Sequence, residues 1–178
     1  MDKNYISYAG ERPMGHKMLG DILPPDLSFA DALKITDCAD GSVTARRVFG
    51  GLEDCCDINN KCSDISVIAD EWVSRGKYVC TVKGGSKNIT LAGVIAVHGR
   101  EVDIDLGNRS DQSDNPTRNV TLNFTTLDGS KVTVRVLNAE RPHLLNAASN
   151  YRFVLVLGPR WGSIWQKLFN QWVKVFGR

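Results

Sequence analysis

The sequence predicts an all-β fold wound from short stacked coils, and three observations predict it. The first is an imperfect repeat. Asp64-Ile65-Ser66-Val67, Asn88-Ile89-Thr90-Leu91 and Asn119-Val120-Thr121-Leu122 begin 24 and then 31 residues apart. The second is a Gly-x-x-Val after each copy, at Gly76, Gly99 and Gly129, spaced by 23 and 30. The intervals agree if the second copy carries about seven inserted residues, and a period of this size marks stacked supersecondary units. The third is alternation: Val102, Ile104 and Leu106 face one way, Glu101, Asp103 and Asp105 the other, as on a half-buried strand.

The elements follow in order. Residues 1–26 are polar and turn-rich, with Pro13, Pro24 and Pro25, and read as an extended arm. Ser28 to Asp37 reads as a short helix, capped by Ser28 with Ala30, Leu33 and Ile35 on its apolar face; it would cover the open end of the core. Cys56 lies 24 residues before Cys80, so the stretch around Glu53 to Ile58 reads as a degenerate first coil. Residues 107–118 hold the insertion as a polar loop. Tyr151 to Leu157 is a further apolar strand, broken by Gly158-Pro159. In the last segment Trp161, Ile164, Trp165, Leu168, Phe169, Trp172, Val173 and Phe176 keep helical spacing, with Lys167 and Lys174 on the other face. The predicted organisation is an arm and capping helix over 1–41, a solenoid over 42–158, and a basic amphipathic helix over 159–178.

Over residues 62–140 the Asp64/Asn88/Asn119 corner and the strand pairs after it resemble the right-handed parallel β-helix proteins, the pectate-lyase-like solenoids found among polysaccharide-acting enzymes and phage or viral proteins. The resemblance implies a short right-handed parallel β-helix, with a ladder of Asp64, Asn88 and Asn119 bonding coil to coil. Stacking Val102 over Val132 predicts neighbours: Glu101 beside Lys131, Asp103 beside Thr133, Asp105 beside Arg135. Opposite charges on adjacent strands stabilise by roughly 0.2–1 kcal/mol a pair. The rival fold is an antiparallel sandwich or roll, since Asp128-Gly129 suits a type I′ hairpin and His98-Gly99-Arg100 offers another turn.

Composition bounds the function. The chain has 178 residues and a net charge of +2, but no acid follows Glu140. The last 38 residues therefore carry +6 and the rest −4, a split that suits docking on an acidic or anionic surface. Cys38, Cys55, Cys56, Cys62 and Cys80 have neither disulfide nor zinc-site spacing and read as free, mostly buried thiols of a reducing compartment. No long apolar run opens the chain, so the expected location is the cytoplasm or a virion, with peripheral membrane contact through the tail.

Catalytic signatures are sparse. There is no phosphate loop, nucleophile elbow or ordered Ser-His-Asp motif. Glu101, Asp103 and Asp105, with His98 nearby, form the one carboxylate row able in principle to serve acid–base chemistry. Asn108, Asp111 and Asp114 in the loop offer oxygen ligands on a scaffold, without a calcium-loop pattern. No metal or cofactor is called for, and nucleic-acid binding is not favoured because the basic residues are not interleaved with aromatics outside the tail. A basic helix with an aromatic face, displaying Trp161, Trp165, Lys167, Phe169, Trp172 and Lys174, can lie on lipid or dock on protein. The expectation is a non-enzymatic structural or adaptor protein, self-associating (as a trimer or head to tail) or attached to a partner subunit or anionic membrane. The alternative is a carbohydrate-active or sugar-binding module using the Glu101–Asp105 face and the loop.

Overall fold

The computed structural model describes residues 5–8, 12–14, 33–50, 54–107 and 116–157. Short and long strands alternate along the chain. The short ones are β1 (Tyr5–Tyr8), β2 (Arg12–Met14), β3 (Leu33–Thr36), β5 (Cys56–Asn59), β7 (Cys80–Val82), β9 (Ile104–Leu106), β11 (Val132–Leu137) and β13 (Tyr151–Leu157). They form one sheet in the order β13-β11-β9-β7-β5-β3-β1-β2. The second sheet runs β12-β10-β8-β6-β4, from β4 (Ala39–Gly50), β6 (Ser63–Ser74), β8 (Lys87–Val97), β10 (Arg118–Thr126) and β12 (His143–Leu144). From β3 onward every pairing is parallel; only β1 pairs antiparallel, with β2 and β3. The chain thus winds as a β-solenoid of about five coils.

Two rows of side chains per sheet fill the space between. In the first sheet Leu33, Cys56, Cys80, Ile104 and Val134 stack in register, and beside them Ile35, Ile58, Val82, Leu106 and Val136. In the second, Val43, Val67, Leu91 and Leu122 stack, as do Val48, Trp72 and Ile95. All of these are buried. Period-two alternation sends every second side chain inward, and a period of 24 brings like onto like.

The corners need a left-handed backbone. Asp40, Asp64, Asn88 and Asn119, at the starts of successive long strands, have φ of 55°, 57°, 55° and 49°. Asn and Asp visit this region at lower cost than other residues with a Cβ, which explains their recurrence at one phase of the repeat. Gly93 serves a different need: a Cβ there would lie 1.9 Å from the Ala69 carbonyl oxygen and 2.5 Å from Trp72 Nε1. Its absence lets the Trp72 indole approach β8 closely and donate to the Ala92 carbonyl at 3.0 Å.

Several expectations are corrected. Leu33–Thr36 is a strand, not the end of a helix: Leu33 and Ile35 both point into the core and pair with Cys56 and Ile58. The remainder of that predicted helix, and the whole of 159–178, lie outside the described residues. The antiparallel rival fails, because β10 and β11 do not pair with each other as a hairpin. Asp128-Gly129 instead turns a corner from one sheet to the other. Cys55 and Cys56 are both fully buried, because Cys55 sits in the corner before β5, where strict alternation does not apply.

Candidate functional site

The outer face of the short-strand sheet gathers charge. Asp57, Thr81, Asp105 and Arg135 follow one another across four strands in register. Thr81 Oγ1 donates to Asp57 at 2.7 Å, and Lys83 Nζ lies 3.0 Å from the same carboxylate. Arg135 grips Asp105 with two hydrogen bonds, Nε at 2.8 Å and Nη2 at 2.7 Å, the bidentate geometry that guanidinium and carboxylate favour. Nη2 also donates to the Tyr78 hydroxyl at 2.8 Å, and that hydroxyl donates to Glu101 at 3.0 Å. The hydrogen bonds from Arg135 to Asp105 push its already high pKa higher. Burial pushes the Tyr78 phenol up.

Tyr78, Thr81, Lys83, Asp105 and Arg135, with Asp54, Gly107, Leu137 and Leu155, line a cleft of about 370 Å³. That is within the range of small-molecule sites. Tyr78, Thr81, Lys83, Asp105 and Arg135 are each already hydrogen-bonded or ion-paired, so the cleft offers a rigid hydrogen-bonding surface rather than a free acid and base.

A second cluster lies where two corners meet. The Asp103 side chain is 0% exposed. It accepts from the Thr133 N–H and hydroxyl, both at 2.8 Å, from the Gly99 N–H at 3.1 Å, and from His98 Nδ1 at 2.9 Å. Every lone pair that burial removes from water is thereby used. On the far side of the ring, His98 Nε2 lies 2.9 Å from Ser130 Oγ and 3.5 Å from Asp128. Partial burial disfavours the imidazolium, but the hydrogen bonds and charges of Asp103 and then Asp128 outweigh it and raise the His98 pKa. Asp128 itself is held far below the carboxylate range, first by its hydrogen bonds from Ser130 and then by His98.

The sequence-derived candidates divide accordingly. Glu101, Asp103 and Asp105 do not form an exposed row: Asp103 and Asp105 are buried, and only Glu101 is exposed. Asp105 meets Arg135 and Asp103 meets Thr133. Glu101 turns to Lys77 and Arg135, each at 3.7 Å, rather than to Lys131, because it precedes β9 in a bend where strand register does not yet hold. Asn119 Nδ2 donates to Asn88 Oδ1 at 2.7 Å and Asn88 Nδ2 to Asp64 Oδ1 at 2.8 Å. This ladder runs side chain to side chain along an exposed corner. Asn108, Asp111 and Asp114, and Trp161, Trp165, Lys167, Phe169, Trp172 and Lys174, lie outside the described residues.

Sequence reasoning missed Ser130 and Asp128. The offset of 30 that joins Asp105 to Arg135 also carries His98 to Asp128, so a signal was present. The cysteine thiols are buried, and desolvation raises those of Cys55 and Cys80, which leaves them inert as nucleophiles. Among the described residues no three His, Cys, Asp or Glu side chains gather as a metal site, and no helix is long and apolar enough to cross a membrane. Comparison of the chain with protein-family models, with curated proteins and with solved structures gives no match.

Proposed function

We propose that this protein is a structural or adaptor solenoid that attaches through its C-terminal end to a partner subunit. The observation that carries the reading is β13. It is the last strand of its sheet, paired on one side only among the described residues, and it leaves Val154 51% and Val156 44% exposed. An apolar strand with an open edge is a template for association. It is followed in the sequence by 158–178, whose tryptophans and basic residues supply further groups suited to docking. The +6 of the last 38 residues selects a partner with an acidic rim.

The test compares full-length protein with a Val154→Glu/Val156→Glu variant and with a chain ending at 157, in partner capture and scattering coupled to chromatography. The reading expects both changes to abolish association while the circular dichroism of the sheets persists. Association that survives both changes removes it. Flotation with anionic vesicles that is lost on truncation would transfer the anchor from protein to lipid.

A second reading has one observation in its favour. The cleft beside Arg135 has the volume for a sugar unit and presents Tyr78, Arg135 and Asp105 to it. Binding of an acidic oligosaccharide that Arg135→Ala abolishes would support this reading; unchanged binding in that variant would end it.

A further inference from the structure

His98, Asp103 and Ser130 come from two corners stacked one coil apart, and they stand in a line. The buried Asp103 carboxylate accepts from His98 Nδ1 at 2.9 Å, which places the proton of the neutral ring on Nδ1 and leaves Nε2 as an acceptor. Nε2 is 2.9 Å from Ser130 Oγ, whose hydroxyl can donate to Nε2 or to the Asp128 carboxylate beside it. A hydroxyl against an imidazole that a carboxylate orients is the arrangement by which serine is activated on unrelated folds. We propose that Ser130 is an activated nucleophile and that this corner hydrolyses unhindered carboxylic esters of short acyl groups, an activity beyond the adaptor reading.

Three features support it. Asp103 is pinned by the Thr133 and Gly99 donors as well as by His98, so the ring's orientation is set before any substrate arrives. Ser130 is exposed, and it follows Gly129, whose φ is 73° and above which a Cβ would meet nothing within 4 Å; an ester can reach the hydroxyl. The backbone N–H of Lys131, the residue after the nucleophile, has no hydrogen bond among the described residues. An N–H at this position, next after the nucleophile, is the one that meets the oxyanion in the nucleophile elbow. Ser130 does not line the described cleft, so a long acyl chain would gain no grip there and small unhindered esters are the fitting substrates.

Ser130 Oγ bonds to the acyl carbon while its proton passes to His98 Nε2. The ester C–O bond then breaks, and the alcohol leaves with that proton. Water attacks the acyl-serine, giving its proton to Nε2. The carboxylic acid departs, and the proton returns to Ser130. Asp103 and Asp128 are the charged groups facing the ring among the described residues. Both favour the imidazolium, so the base is available only as pH rises past the ordinary imidazole value of about 6.5.

The experiment treats the full chain with a fluorophosphonate probe, maps the adduct by mass spectrometry, and follows p-nitrophenyl acetate hydrolysis against pH. Expected are an adduct on Ser130, none in Ser130→Ala, and a rate lowered roughly 10²–10⁴-fold in His98→Gln. Asp128→Asn should move the acidic limb of the rate profile to lower pH. An unlabelled Ser130 above the imidazole pKa, or a Ser130→Ala protein as fast as the parent, overturns the proposal. Neither outcome bears on attachment through β13.

Discussion

Asp103 shows how much one side chain can organise. Its carboxylate ties β11 to the corner before β9 and fixes His98 as well. His98 in turn makes stability depend on pH with a definite sign. Its pKa is raised in the fold, so its contribution is complete below the unfolded value of about 6.5 and fades as pH rises through the folded one. Thermal unfolding followed upward from pH 6 should show this loss, and His98→Gln should flatten it; an NMR titration of the ring should place its midpoint above the ordinary value. The corner asparagines make a separate case. Asn88 is exposed and sits at φ 55°. Asn88→Ala should cost about 1–2 kcal/mol for the left-handed backbone, whereas Asn88→Gly should be close to neutral. Equal losses in denaturant titrations would show that the amide ladder, not the dihedral angle, holds the corner.

Strands and corners differ in how far they could be read in advance. The starts of β6, β8 and β10 were legible because one left-handed residue and one apolar pair recur at each. The Asp105–Arg135 pair was legible because both residues lie inside strands with a single offset. Where the chain bends, that logic lapses. Glu101 precedes the strand and finds Lys77, Cys55 turns inward beside Cys56, and Asp103 is drawn under its neighbours instead of standing out with Asp105. Leu33–Thr36 misled because four residues with apolar groups at alternate positions, next to good helix formers, fit either period. Ser130 was hidden in Asp128-Gly129-Ser130, a composition any turn shares. Within the strands, Trp72 is the side chain on which most depends. It fills the space left by Gly93 and meets Phe124 edge to face with centroids 5.7 Å apart. Trp72→Ala should therefore cost about 3–5 kcal/mol, read as a lowered denaturation midpoint.

At the scale of the whole molecule, each coil stacks on the coils on either side, with only a long side chain such as Arg135 reaching two coils to Tyr78, so stability is largely a sum of neighbour contacts with two ends to protect. One end carries the antiparallel β1 and β2, which break the parallel stacking. Among the described residues the other end is β13, whose Val154, Leu155 and Val156 are exposed. The fixed 24-residue pitch of the early coils works as a ruler. Duplicating residues 63–86 in tandem should lengthen the body by one inter-strand spacing, about 4.8 Å, and leave every row of side chains in phase. Adding half as many would set long strands upon short ones throughout the remainder. Reach along the axis can thus be changed in whole steps, while the His98 corner and the β13 end travel outward unaltered.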